Sequence, residues 1–98
     1  MNPIKDLNKT FDSRIRLGII SALMVNLEVS FIELKELLDI TDGNLASHLK
    51  TLEESGTIKV QKGFIGRKTS TTYTITKAGD NAFKAHIAAL EAMIKATK

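Results

Sequence analysis

At Gly56 the hydrophobic period of this chain changes from that of a helix to that of a strand. Before it, Leu45, Leu49 and Leu52 recur at i, i+4 and i+7, one side of a helix. After it, Ile58 and Val60 alternate with Lys59 and Gln61, and Tyr73 and Ile75 alternate with Thr72, Thr74 and Thr76. Helices, then one hairpin, then a helix again predict an α+β fold. With 98 residues the chain makes one domain, spanning 1–98, around one modest core. It has no cysteine, so neither disulfides nor thiolate metal sites brace that core.

Residues 1–11 hold the single proline, Pro3, and show no period, which predicts a loosely ordered arm. Asp12 can cap a first helix, about 12–25, by accepting from its exposed first-turn amides. On a helical wheel Ile15, Ile19 and Ala22 share one side of it, while Leu17, Ile20 and Met24 share the other. Burying both sides asks more than one small domain readily supplies. Val29–Phe31 reads as a short strand, and Ser30 as the cap of a second helix over 31–38. Asp39-Ile40-Thr41 forms a short turn, and Thr41 caps a third helix, 42–55, which Gly56 ends. KGFIGRKTS, at 62–70, reads as a long, basic, glycine-containing tip within a hairpin over 58–76. Thr76 then caps a last helix, about 77–95.

The third helix turns its leucines to the core and carries Gly43, Asn44, Ser47, Lys50 and Thr51 on the opposite side, with His48 at the margin. A helix about 10–12 Å across fits the major groove of B-DNA, where base edges present distinct donors and acceptors. Asn pairs bidentately with adenine, Ser and Thr donate or accept, and a Thr methyl meets a thymine methyl. Lys50 reaches guanine or a phosphate, and Gly43 leaves room for a phosphate at the helix amino terminus. A merely solvated face would look similar. His48 suits packing against Leu52 or a phosphate contact.

Charge points the same way. The chain carries +3, yet Ser55 to Gly79 holds Lys59, Lys62, Arg67, Lys68 and Lys77 with no acidic residue, leaving −2 on the remainder. A basic segment on a slightly acidic body suits a polyanion, although lysines guarding a hairpin edge give the same pattern.

Together these features resemble the small winged-helix transcriptional regulators of the MarR/ArsR-like group. The resemblance rests on the DGNL-x-x-HL-x-x-LE-x-x-G run at Asp42–Gly56, the GRK at Gly66–Lys68 and the T-x-Y-x-I-T-x-x-G run at Thr71–Gly79. It implies a winged helix-turn-helix: helix, short strand, two helices, two-stranded wing and C-terminal helix. It also implies a sequence-specific regulator of double-stranded DNA, with the third helix in the major groove. Asn44, Ser47 and Thr51 would meet base edges, and Arg67 and Lys68 would meet phosphates or the minor groove, with Lys62 nearby on the wing. A winged helix used for protein interaction or for RNA is the alternative.

Other classes find little support. His48 and His86 are the only histidines and lie on separate helices, so no metal site is expected. No nucleophile elbow, phosphate loop or cofactor motif is present, which argues against an enzyme. No apolar run approaches the roughly 18 residues of a membrane span, and the amino terminus lacks an apolar signal region, so a cytoplasmic protein is expected. No motif identifies a small-molecule effector. In the last helix Phe83, Ile87, Leu90 and Ile94 form one apolar stripe, extended by His86 and Met93. Ala78, Ala85, Ala89, Ala92 and Ala96 form a second. One stripe can cover the domain and leave the other for a partner, unless alanine serves only helix propensity. With the two-sided first helix, this predicts a homodimer joined through Leu17, Ile20 and Met24 and through Ala85, Ala89, Ala92, Met93 and Ala96.

Overall fold

The structure, a computed structural model, describes residues 5–96; residues 1–4, with Pro3, and 97–98 lie outside the described residues. Among the described residues a 3-10 turn, Lys9–Phe11, precedes α1 (Arg14–Val25), β1 (Val29–Ser30), α2 (Phe31–Leu38) and α3 (Asp42–Glu54). The hairpin strands β2 (Ile58–Ile65) and β3 (Lys68–Ile75) follow, and then α4 (Lys77–Ala96). The strands form one antiparallel sheet in the order β1-β3-β2. This is the winged-helix architecture expected from the sequence.

Local chemistry sets most boundaries. Ser30 accepts from the Glu33 N–H while Glu33 reaches back to the Ser30 N–H, a reciprocal capping box that starts α2. Thr41 accepts from the Asn44 N–H and starts α3. Thr76 accepts from the Gly79 N–H and starts α4. Gly56, at φ +77°, follows the end of α3 as predicted. The cap of α1 is a correction: Ser13, not Asp12, accepts from the Arg16 N–H. Asp12 belongs to the preceding turn, its own N–H donating to the Lys9 carbonyl.

The amino-terminal arm is a second correction. Phe11 is only 2% exposed, with its ring edge-on to Phe83 at 5.5 Å and 5.1 Å from the His86 ring. The Asn8 N–H donates to His86 Nδ1 at 3.1 Å. The segment 8–11 is therefore a buckle between α1 and α4, and His86 is a satisfied core residue.

Both sides of α1 are spent inside the protomer, because α2, α3, β3 and the 3-10 turn surround it. Ile19, Ile20 and Leu23 are buried, and Ile15, Leu17 and Met24 pack against them. Ile20 is 0% exposed and has no surface left for a partner, so its assignment to a dimer face does not hold. One small domain covers this helix except at its end, where Val25 is 82% exposed.

α4 behaves differently along its length. Its first turn is clamped where α3 meets β2, the Thr76 hydroxyl donating to the Gly56 and Thr57 carbonyls. Gly79 lies so close that a Cβ there would run into the Thr57 carbonyl. Ala82 and Phe83 pack on the core, but the apolar stripe beyond them leaves it. A 20-residue helix is about 30 Å long. The domain measures 55 × 25 × 21 Å, and its radius of gyration, 15.0 Å, exceeds the roughly 12.5 Å of a compact chain this size.

Candidate nucleic-acid interface

α3 presents the face read from its wheel. Leu45, Leu49 and Leu52 are buried, whereas Gly43, Asn44, Ser47, Lys50 and Thr51 are all exposed. No protein atom lies within 4 Å of where a Cβ at Gly43 would stand, so the fold itself does not require glycine there. Asp42, in the first turn, is held by Lys35 of α2 at 2.8 Å, which offsets a negative charge at the helix amino terminus. The Thr51 hydroxyl donates to the Ser47 carbonyl at 3.2 Å, leaving its methyl and oxygen lone pairs as the groups it can offer outward.

His48 is not set by Leu52 alone. It is half-buried, and its Nδ1 lies 3.1 Å from Arg16 Nη1. A guanidinium only donates, so Nδ1 is the acceptor and the imidazole proton sits on Nε2. The Arg16 Nε–H also donates to the Thr10 carbonyl at 2.6 Å. Arg16 thus ties the margin of α3 to the buckle before α1. Sequence reasoning missed this residue, because the two partners are 32 positions apart and share no local pattern.

The wing is better ordered than its composition suggests. β2 and β3 pair without interruption from Ile58↔Ile75 to Ile65↔Lys68, so the connection is a two-residue turn, Gly66-Arg67, and not a long tip. Gly66 has φ +65° and Arg67 no positive φ, which fits a type II′ hairpin with glycine at its first position. β1 pairs only with Thr72 and Tyr73, so beyond them the hairpin is a free two-stranded ribbon. Strand alternation puts Lys62 on the face of Ile58 and Val60, and Lys68 on the other, with Arg67 at the tip.

Among the described residues the two ion pairs are Lys35–Asp42 and Lys84–Asp80. Neither uses Lys50, Lys59, Lys62, Arg67 or Lys68. These cations are exposed and form no ion pair among the described residues. At the root of the wing, burial first and then the nearby Glu53 charge push the Tyr73 phenol above its ordinary pKa, which keeps it neutral. Exposed cations, a ribbon and an adjacent, mostly uncharged helix face form a surface suited to a polyanion with readable edges.

The proposed dimer residues divide. Leu17 and Met24 are half-buried against the core. On α4, Ala85, Ala92 and Ala96 are exposed, while Ala89 and Met93 are half-buried. Among the described residues no group of His, Cys, Asp or Glu could hold a metal ion, and no helix is long and apolar enough to cross a membrane.

Comparison with known proteins agrees with this geometry. A protein of Methanocaldococcus jannaschii, MJ0432, is 45% identical over 80 residues, covering 81% of this chain and 86% of its own. The transcriptional regulator homologue from Pyrococcus horikoshii OT3 superposes with a TM-score of 0.83 at 30% identity, covering 98% of this chain and 93% of that one. A MarR-family regulator from Enterococcus faecalis V583 shares the fold, with a TM-score of 0.71 at 24% identity over 92% of this chain and 86% of that one. Residues 15–94 match the winged helix DNA-binding domain, and this chain belongs to that family.

Proposed function

We propose that this protein is a homodimeric transcriptional regulator that reads duplex DNA. α3 lies in the major groove, with Asn44, Ser47 and Thr51 at base edges. Lys50 and the wing cations Lys62, Arg67 and Lys68 meet the backbone or the minor groove. His48 offers its Nε2–H to a phosphate. The observation that carries this reading is an exposed, mostly uncharged helix face beside a wing whose cations form no ion pair among the described residues. The work is binding in the cytoplasm, without catalysis.

The dimer is supported by the apolar stripe of α4, which begins on the core at Phe83 and continues past it through Leu90. A second copy of the same helix covers that stripe by two-fold symmetry. Two α3 helices entering successive major grooves stand about 34 Å apart, which makes the target an inverted repeat with half-sites about 10–11 base pairs apart.

Selection of bound duplexes from a random pool, followed by titration in salt, tests the reading. If the dimer neutralises about eight phosphates, log K falls against log salt with a slope of about −7. Replacing Arg67 and Lys68 with Ala makes the slope shallower by about 2–4 across the dimer. Asn44→Ala weakens the enriched site by about 1–3 kcal/mol and leaves random DNA nearly unaffected. Equal binding of unselected RNA, or no enriched motif, would sink it.

A further inference from the structure

The end of the wing carries two side chains that the fold does not use. Phe64 is 76% exposed and Ile65 is 74% exposed, the last two residues of β2 before the turn. Neither packs on the hydrophobic core. Their registers, Phe64↔Thr69 and Ile65↔Lys68, put them on opposite faces of the ribbon. An aromatic ring and a branched aliphatic thus flank a tight two-residue turn, clear of the third strand.

Their surroundings identify the kind of partner. Lys62, Arg67 and Lys68 stand within a few residues along the ribbon, and although Glu28 and Glu33 line the groove beside Ile65 and Lys68, neither forms an ion pair with these cations. Apolar groups among cations that make no ion pair fit a surface that is apolar inside and anionic outside. Base steps between two phosphate strands have that character. An anionic lipid surface shares it, but two side chains bury far less than an acyl chain, and one acyl chain alone binds membranes only marginally. Unstacking one base step, in contrast, takes one or two apolar wedges.

We propose that Phe64 and Ile65 form an apolar wedge that enters the minor groove and opens a base step, so that the protein selects DNA partly by how easily it bends. This rests on the DNA-binding reading and adds a second source of specificity to α3. The preferred step is pyrimidine–purine, TA or CA/TG, because these unstack most readily. The wedge reads that step without hydrogen bonds to it.

The test compares the native protein, the double variant Phe64→Ser/Ile65→Ser and Arg67→Gln on random duplexes about three helical turns long. Both wedge residues are exposed, so the variant should melt like the native protein, and circular dichroism checks this. The native protein should enrich a pyrimidine–purine step at a fixed distance from the bases read by α3. It should also shorten the end-to-end distance of dye-labelled duplex. The double variant should keep the α3-read bases, lose the step and the bend, and bind the best site about tenfold more weakly, the scale of one mismatched pair. Its salt slope should be unchanged, whereas Arg67→Gln should flatten the slope and keep the bend. Enrichment of α3-read bases on straight DNA, or a bend that survives in the double variant, overturns the wedge and leaves the DNA-binding reading standing. Absence of any duplex binding overturns both. Co-sedimentation with phosphatidylserine vesicles that the double variant abolishes, with no bend in DNA, assigns the tip to membranes and overturns the wedge.

Discussion

The bundle around α1 and the two projections from it, the wing ribbon and the far half of α4, obey different rules. In the bundle most large apolar residues have an internal reason, with Val25, Leu27, Ile32 and Leu37 the exposed exceptions. Ile19, Ile20, Leu34, Leu45 and Leu52 are fully buried, and the helix ends are capped by side chains of their own segments. In the projections, residues of the same chemistry are exposed: Phe64 and Ile65 on the wing, Ile94 on α4. On the proposed function, the exposed apolar groups of the two projections are where partners would bind, and their place in the fold, not their composition, sets them apart from the core.

The contrast is open to direct attack. The largest effect belongs to the bundle: Leu52→Ala should lose about 2–5 kcal/mol in urea unfolding, independent of protein concentration. Gly79→Ala comes next, because its methyl meets the Thr57 backbone, which cannot move without pulling α4 from β2. A loss of about 1–3 kcal/mol is expected, and an unchanged melting curve would show that the clamp is not needed. On the far half of α4, Leu90→Glu should leave a folded, helical monomer but abolish the dimer in sedimentation at micromolar concentration. A mutant that still dimerises would move the contact to the alanine face, where Ala85→Glu is the matching probe.

The smallest effect is electrostatic. Hydrogen bonds from the Ser30 backbone and hydroxyl hold Glu33 below its ordinary value of 4.5. A carboxylate lowered on folding contributes stability above that value and loses it as pH falls through the folded pKa. Acid titration below about pH 4.5 should therefore weaken α2 in the native protein more than in Glu33→Ala. Parallel acid curves would remove the capping box from the account.

What the sequence made legible follows the range of the interactions. Ser30, Thr41 and Thr76 are readable as caps because each acts on the amide three residues away. The exposed face of α3 is readable because Leu45, Leu49 and Leu52 fix its opposite. Phe11 has no local pattern that marks it as core, because its burial depends on Phe83 and His86, which arrive only with α4. Arg16 was overlooked for the same reason. KGFIGRKTS looked like a loop because of its glycines and lysines, yet the turn uses only Gly66, and the threonines opposite favour a strand. The two-sided pattern of α1 is legible, but it does not say what covers the helix, and four elements of the same protomer do.

The tight turn at Gly66-Arg67 also limits how this wing can change over evolutionary time. β2 and β3 pair residue for residue up to that turn. A lone inserted residue in either strand must open a bulge or slip the register, and a slip moves each side chain beyond it to the opposite face. One residue added to each strand avoids the bulge but exchanges the faces presented at the tip. Two added to each strand restore them. Descendants that keep the same target should therefore differ in wing length by matched blocks of four residues, and intermediate lengths should accompany a change of target.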